Sequence, residues 1–194
     1  MAHAQFETIH PFADGNGRVG RCLIHVILRR RGLAARYVPP ISLVLAGNSK
    51  AYIKGLNDFR TAHLPEWCGL FGAAARTAAR GAGRFTERIA AKQRSWVEAA
   101  GNPRRDSARL ALIHALPSHP ILDVKTAEEI SGASNEAARI AMNELEACGV
   151  LHRVNVGKRN RAWEAVGLFE LLNEFERELA TPPGRSRPGR PAPR

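Results

Sequence analysis

One short stretch dictates more of the local fold than any other part of the chain. It reads His10-Pro11-Phe12-Ala13-Asp14-Gly15-Asn16-Gly17-Arg18-Val19-Gly20-Arg21. The residue before a proline is pushed out of the helical region, so a helix over residues 1–9 must stop with His10 at its C-terminal edge. From Gly17 the apolar residues Val19, Cys22, Leu23, Val26 and Ile27 recur at helical spacing and end near Gly32. Arginines 29–31 suit the negative end of that helix dipole. The segment is therefore committed to a helix, a tight glycine-containing loop and a second helix.

The same kind of evidence extends along the chain. Pro39-Pro40 breaks it, and periodicity predicts helices over 41–47, 50–61 and 65–80. Residues 81–103 read as a separate basic amphipathic helix, begun by a glycine and ended by Gly101-Asn102-Pro103. Helices follow at 107–115, 126–131 and 135–147. Strand candidates at 150–156 and 161–165 flank the turn Gly157-Lys158-Arg159-Asn160, and a last helix spans 167–180. The expectation is a mainly α protein with four parts: a helical segment 1–80, a basic helical connector 81–105, a second domain 106–181 and a disordered Pro/Gly/Arg tail 182–194.

Composition narrows the class. An apolar fraction of 44% over 194 residues excludes disorder throughout. The longest apolar run, residues 22–28, is interrupted by His25 and far short of the ~18 residues of a membrane span. No secretory signal is visible, so a cytoplasmic setting without membrane contact is expected. Cys22, Cys68 and Cys148 are odd in number and far apart, which argues against disulfides and a zinc site. His3, His25, His63, His114, His119 and His152 show no metal-ligand spacing. The net charge of +11 is unevenly placed: residues 1–80 carry +7, and 106–166 carry −1. A nucleic-acid reading of the second domain must therefore rest on local clusters.

The chemistry of the motif follows from its residue types. Glycines let backbone N–H groups turn towards a ligand, and a helix N-terminus adds a positive dipole end, which together make an anion cradle. Arg18 and Arg21, three apart on one helical face, can grip phosphate oxygens, and Asp14 is a hard oxygen ligand suited to Mg²⁺. His10 beside the cradle can take a proton from a hydroxyl. These residues point to binding of a polyphosphate with Mg²⁺ and transfer of part of it to a hydroxyl.

The twelve residues also match H-x-F-x-[DE]-G-N-G-R-x-x-R without departure, and the chain is identified by them as resembling the Fic family. Residues 4–9 before the motif and Arg30-Arg31-Gly32-Leu33 after it resemble the family's flanking helices, and the resemblance covers about residues 1–80. It implies a partial Fic helical core that transfers AMP from ATP to a Ser, Thr or Tyr hydroxyl of a protein target and releases pyrophosphate. By that similarity His10 would be the general base and Asp14 would hold Mg²⁺. Gly15, Asn16 and Gly17 would cradle the phosphates through their backbone, joined by the Asn16 side chain, and Arg18 and Arg21 would bind the phosphate chain. Phe12 would anchor the loop in the core. Tyr52 would lie near the base or serve in ordinary helix packing.

Two departures from the family pattern qualify these expectations. The family places several helices and a target-positioning β-hairpin ahead of the motif, whereas this chain begins nine residues before His10. An N-terminally truncated Fic protein is expected, with Leu23, Val26 and Ile27 left partly exposed unless a missing N-terminal portion or another copy of the chain covers them. The family's inhibitory [ST]-x-x-x-E-[GN] motif has no counterpart.

In the second half, three helices and a hairpin are the order of a winged helix-turn-helix domain. Residues 127–139 resemble its helix-turn-helix, with Ser134 or Asn135 capping the second helix. Duplex DNA is one partner this implies. Helix 135–147 offers Arg139 and Asn143 beside Glu136, Glu144 and Glu146, so the wing cations Arg153, Lys158, Arg159 and Arg161 would carry the contact. The alternative is a noncatalytic DNA-binding or protein-interaction module that retains a Fic motif remnant.

Overall fold

A computed structural model describes residues 1–35, 37–156 and 160–181, and of 155, 156, 160 and 161 the backbone alone. It is mainly helical. The described chain forms two compact units, one of residues 1–84 with 175 to 181 and one of residues 85–174. No helix among the described residues is long and apolar enough to cross a membrane.

The first unit begins with α1 (Ala2–Ile9) and α2 (Asn16–Arg30). His10 ends α1 in the left-handed conformation, φ 52°, while its N–H still reaches Phe6 O. Helices α3 (Ile41–Gly47) and α4 (Ser49–Arg60) follow. Next, α5 (Leu64–Ala99) is a single helix of 36 residues. The expected break at Gly81 does not occur. A glycine in a helix costs up to ~1 kcal/mol relative to alanine, but Gly81 lies so close to Leu179 that a Cβ would collide with that side chain. Close approach, rather than termination, explains this glycine. The apolar side chains of the unit gather in two small clusters, Ile24, Ile41, Leu45, Ala74 and Ala78 in one, Ala4, Leu56 and Trp67 in the other. Val19 and Val26 of α2 are exposed, as are Ile9, Leu33 and Val38, while Leu23 and Ile27 are half-buried.

The second unit contains α6 (Ala108–Ala115), β1 (Ile121–Leu122), α7 (Val124–Ser131), α8 (Asn135–Ala147), β2 (Leu151–Val156) and β3 (Asn160–Ala165). The helices start where short polar side chains cap them. Ser107 accepts from Leu110 N, Asp123 from Thr126 N and Ser134 from Ala137 N. The hydrogen bond from Thr126 N holds the Asp123 carboxyl below the usual range. Gly132, at φ 65°, ends α7 and lets the chain turn into α8. The strands form an antiparallel sheet of order β1-β3-β2, in register Leu122↔Trp163 and Arg153↔Trp163. Two-residue β1 is too short to show a period and is absent from the sequence expectation. One continuous core runs from Trp96 through Leu112, Ile113, Met142, Leu145 and Leu151 to Trp163 and Leu168. The final helix is α9 (Leu168–Ala180).

Candidate active site

The C-terminal end of α1 and the N-terminal end of α2 face one short loop, and the motif residues divide there into those that brace it and those that project from it. Asn16 is the brace. It is 3% exposed, its Oδ1 accepts from Phe12 N at 2.9 Å, and its Nδ2 donates to Phe12 O at 2.5 Å. The side chain expected on the phosphates thus closes the loop from within. Phe12, expected as a core anchor, packs on Phe6 with ring centroids 6.0 Å apart, yet remains half exposed. Its contact is local because no core cluster reaches the loop.

The projecting groups match the cradle chemistry. Gly15 has φ 82°, a conformation that strains other residues, and no side chain caps α2. Arg18 N donates to Gly15 O at 3.0 Å, so the N–H groups of Asn16 and Gly17 are the ones left for an anion. Arg18 Nη2 lies 3.4 Å from Asp14 Oδ2, and Gly15 N donates to Asp14 Oδ1 at 2.6 Å. Both members of the Asp14–Arg18 pair are exposed, so the pair is weak and readily opened by a ligand. Arg21 folds back over Gly17, where a Cβ would meet its Nη1 at 3.2 Å. The backbone of Gly17 can therefore approach the same ligand as the guanidinium. His10 stands at the rim with its side chain 61% exposed.

Among the described residues no cluster of three or more His, Cys, Asp or Glu side chains forms a metal cage. Asp14, exposed beside an anion cradle, fits Mg²⁺ held jointly by one carboxylate, waters and substrate phosphates, which is the usual manner for this ion.

Beneath the loop lies a polar group in which sequence reading singled out Tyr52 but passed over His3 and Glu7. His3 Nδ1 lies 2.9 Å from Gly20 O, and its Nε2 lies 2.9 Å from the Tyr52 hydroxyl. A carbonyl only accepts, so Nδ1 carries the proton and the neutral ring accepts from Tyr52. Burial lowers the His3 pKa from its ordinary value, opposed in part by the bond to the Gly20 carbonyl and by Glu7. Burial and then Glu7 push the Tyr52 hydroxyl up to about 12. Tyr52 is thereby tied to His3, stacked on it at 6.0 Å, and serves helix packing. Glu7, buried at 8% exposure, completes the group against Gly20. The i, i+4 spacing of His3 and Glu7 on α1 was the visible signal, but their shared contact with Gly20 required the helix crossing.

In the second unit the two described arginines among the expected DNA-facing groups, Arg139 and Arg153, are engaged. Arg139 bonds both oxygens of Glu136. Arg153 lies over the Trp163 ring at 5.3 Å and donates to Glu146 and Asn143. Glu146 also accepts from Trp163 Nε1 at 2.9 Å. Lys158 and Arg159 lie outside the described residues, as do the side chain of Arg161 and the tail from residue 182.

Comparison with known proteins bears on the motif segment. Residues 1–28 match the model of the Fic/DOC family. A probable protein adenylyltransferase of Aquifex aeolicus is 64% identical over 31 residues, 16% of this chain and 10% of that protein. The protein adenylyltransferase fic-1 of Caenorhabditis elegans is 34% identical over 64 residues, 31% of this chain and 12% of the relative. A Fido domain-containing protein of Dictyostelium discoideum is 39% identical over 56 residues, 29% and 34% of the two chains. The matches thus span from a tenth to about a third of the relatives' own length. With its motif intact and seated between two helices, the N-terminal segment of the chain is similar to the Fic/DOC family over residues 1–28.

Proposed function

We propose that residues 1–80 form the phosphate-binding and proton-accepting part of a protein adenylyltransferase that moves AMP from ATP to a Ser, Thr or Tyr hydroxyl of a protein target. The observation that carries this reading is the pairing of an exposed imidazole at the end of α1 with an uncapped, glycine-bracketed start of α2 that bears Arg18 and Arg21. The cradle binds the phosphate chain through backbone N–H groups and the two guanidiniums. His10 takes the target's hydroxyl proton as its oxygen bonds to the α-phosphorus. The bond from that phosphorus to the bridging oxygen breaks, and pyrophosphate leaves. Mg²⁺ held by Asp14 would neutralise phosphate charge.

Incubating the full chain with protein substrates and ATP labelled at the α-phosphate tests this. The expected result is label on protein that disappears with His10→Ala and is not obtained from γ-labelled ATP. Label from the γ position would indicate phosphoryl transfer, and no label from either would remove the catalytic reading of this chain.

Residues 106–181 read as a winged helix joined by the segment 81–105. The internal pairing of Arg139 and Arg153 supports a protein-docking role over DNA binding, since a cation held by a neighbouring carboxylate has less to offer a phosphate.

A further inference from the structure

The Glu7 carboxylate lies where packing alone gives no reason for a charge. Its Oε1 is buried against Gly20 and has no hydrogen-bond partner, and an unmatched buried oxygen is destabilising. An amide or thioether side chain of similar length would fill the α1–α2 crossing at less cost. The other oxygen faces His10: Oε2 lies 3.9 Å from His10 Nδ1, and the Glu7 carbonyl lies 3.4 Å from the same nitrogen. Both oxygens only accept, the carbonyl within hydrogen-bond distance and the carboxylate just beyond it, so both favour the ring proton on Nδ1 and the lone pair on Nε2.

Building on the reading of His10 as proton acceptor, we propose that Glu7 is its positioning residue. The main-chain and side-chain oxygens of this one residue hold the Nδ1–H tautomer, leave Nε2 to receive the hydroxyl proton, and stabilise the imidazolium that then forms. A base oriented by a third group is the general logic of activated hydroxyl chemistry. The surroundings hold Glu7 in turn. Arg60 Nη2 donates to its carbonyl at 3.4 Å. One turn earlier on α1, His3 anchors the helix to Gly20 O and to Tyr52. Gly20 admits the carboxylate because any Cβ there would collide with Oε1. Glu7 thus links the helix crossing to the orientation of the base without touching substrate.

The test is spectroscopic and needs no ATP. Long-range ¹H–¹⁵N spectra of the full chain read the His10 tautomer, with the signal assigned by its loss in His10→Ala. The wild-type ring is expected mainly as Nδ1–H. In Glu7→Gln the fraction of that tautomer falls, because the amide can turn an N–H towards Nδ1. Glu7→Met is the second variant should Glu7→Gln not fold. A wild-type ring found mainly as Nε2–H, or an unchanged ratio in a folded variant, overturns the proposal whether or not the chain transfers AMP. Where transfer is measured, Glu7→Gln is expected to lower kcat by about 10–100-fold with KM for ATP unchanged, and wild-type kcat would equally overturn it. Transfer that survives His10→Ala would instead overturn the reading on which this rests.

Discussion

The starts of α2 and α8 are two helix N-termini of similar length in one chain, and they are treated in opposite ways. Ser134 caps α8 through its hydroxyl, as Asp123 and Ser107 cap α7 and α6. The start of α2 has no side-chain cap, although Asp14 and Asn16 are adjacent and chemically able. Instead, Asn16 is turned onto Phe12 and Asp14 onto Gly15 N and Arg18. The second unit satisfies its own polar groups around one continuous core. The first divides its core into two small clusters and keeps backbone donors, two arginines and an imidazole facing outward. The difference separates a segment that pairs its polar groups internally from one that leaves polar groups facing outward.

The sharpest way to break this contrast is at the outward-facing imidazole. His10→Ala is expected to reduce adenylyl transfer by about 10²–10⁴-fold while leaving the thermal transition in place, as measured by label transfer and circular dichroism. A large loss of stability would make His10 a structural residue like those of the second unit.

Next in size is the core of the second unit. Ile113 is fully buried, and Ile113→Ala is expected to cost ~2–5 kcal/mol through lost burial and a cavity, read from denaturant unfolding. A cost below ~1 kcal/mol would mean that this core is no better consolidated than the clusters of the first unit.

At the α1–α2 crossing, Gly20→Ala is expected to cost ~1–3 kcal/mol because its methyl must displace Glu7. If the substitution is neutral in the same unfolding measurement, the crossing is looser than the comparison requires.

A pH effect is smaller and has a definite sign. Burial lowers the His3 pKa below its ordinary 6.5, so the unfolded chain takes up the proton more readily than the folded one. The stability linked to His3 is therefore complete above about 6.5 and declines as pH falls through and below that value. Burial acts on His25 in the same direction. His3→Gln should flatten, but not abolish, the fall of Tm between neutral and mildly acidic pH. An unchanged slope would show that His3 has no part in it.

The smallest effect concerns DNA. With Arg153 held by Glu146 and Trp163, Arg153→Ala is expected to change low-salt affinity for duplex DNA by less than about 2-fold. A loss of tenfold or more, with a shallower salt dependence, would restore the wing as a DNA-binding element.

How far each element was legible depended on the range of the forces that set it. Pro11 and the glycines foretold α1, the loop and the start of α2, and α8 falls on its expected residues 135–147. These follow from φ restrictions, caps and helical periodicity, all of which act over a few residues. Gly81 misled because a glycine that admits a neighbouring helix and one that ends a helix read alike. Asn16 carries the right chemistry for a phosphate, and only the folded loop shows its amide engaged with Phe12.

The sequence by itself thus determined the mainly helical class, the order of most elements and the presence of one short motif whose residue types suit a phosphate and a proton. Tertiary structure decided which of those residues face outward. It also brought His3 to Tyr52 across 49 positions, set Glu7 against Gly20 beside His10, and paired Arg139 and Arg153 with carboxylates. The reason is physical: local backbone preferences are written in neighbouring residues, whereas burial, partner choice and protonation depend on which distant groups share the same space once the helices cross.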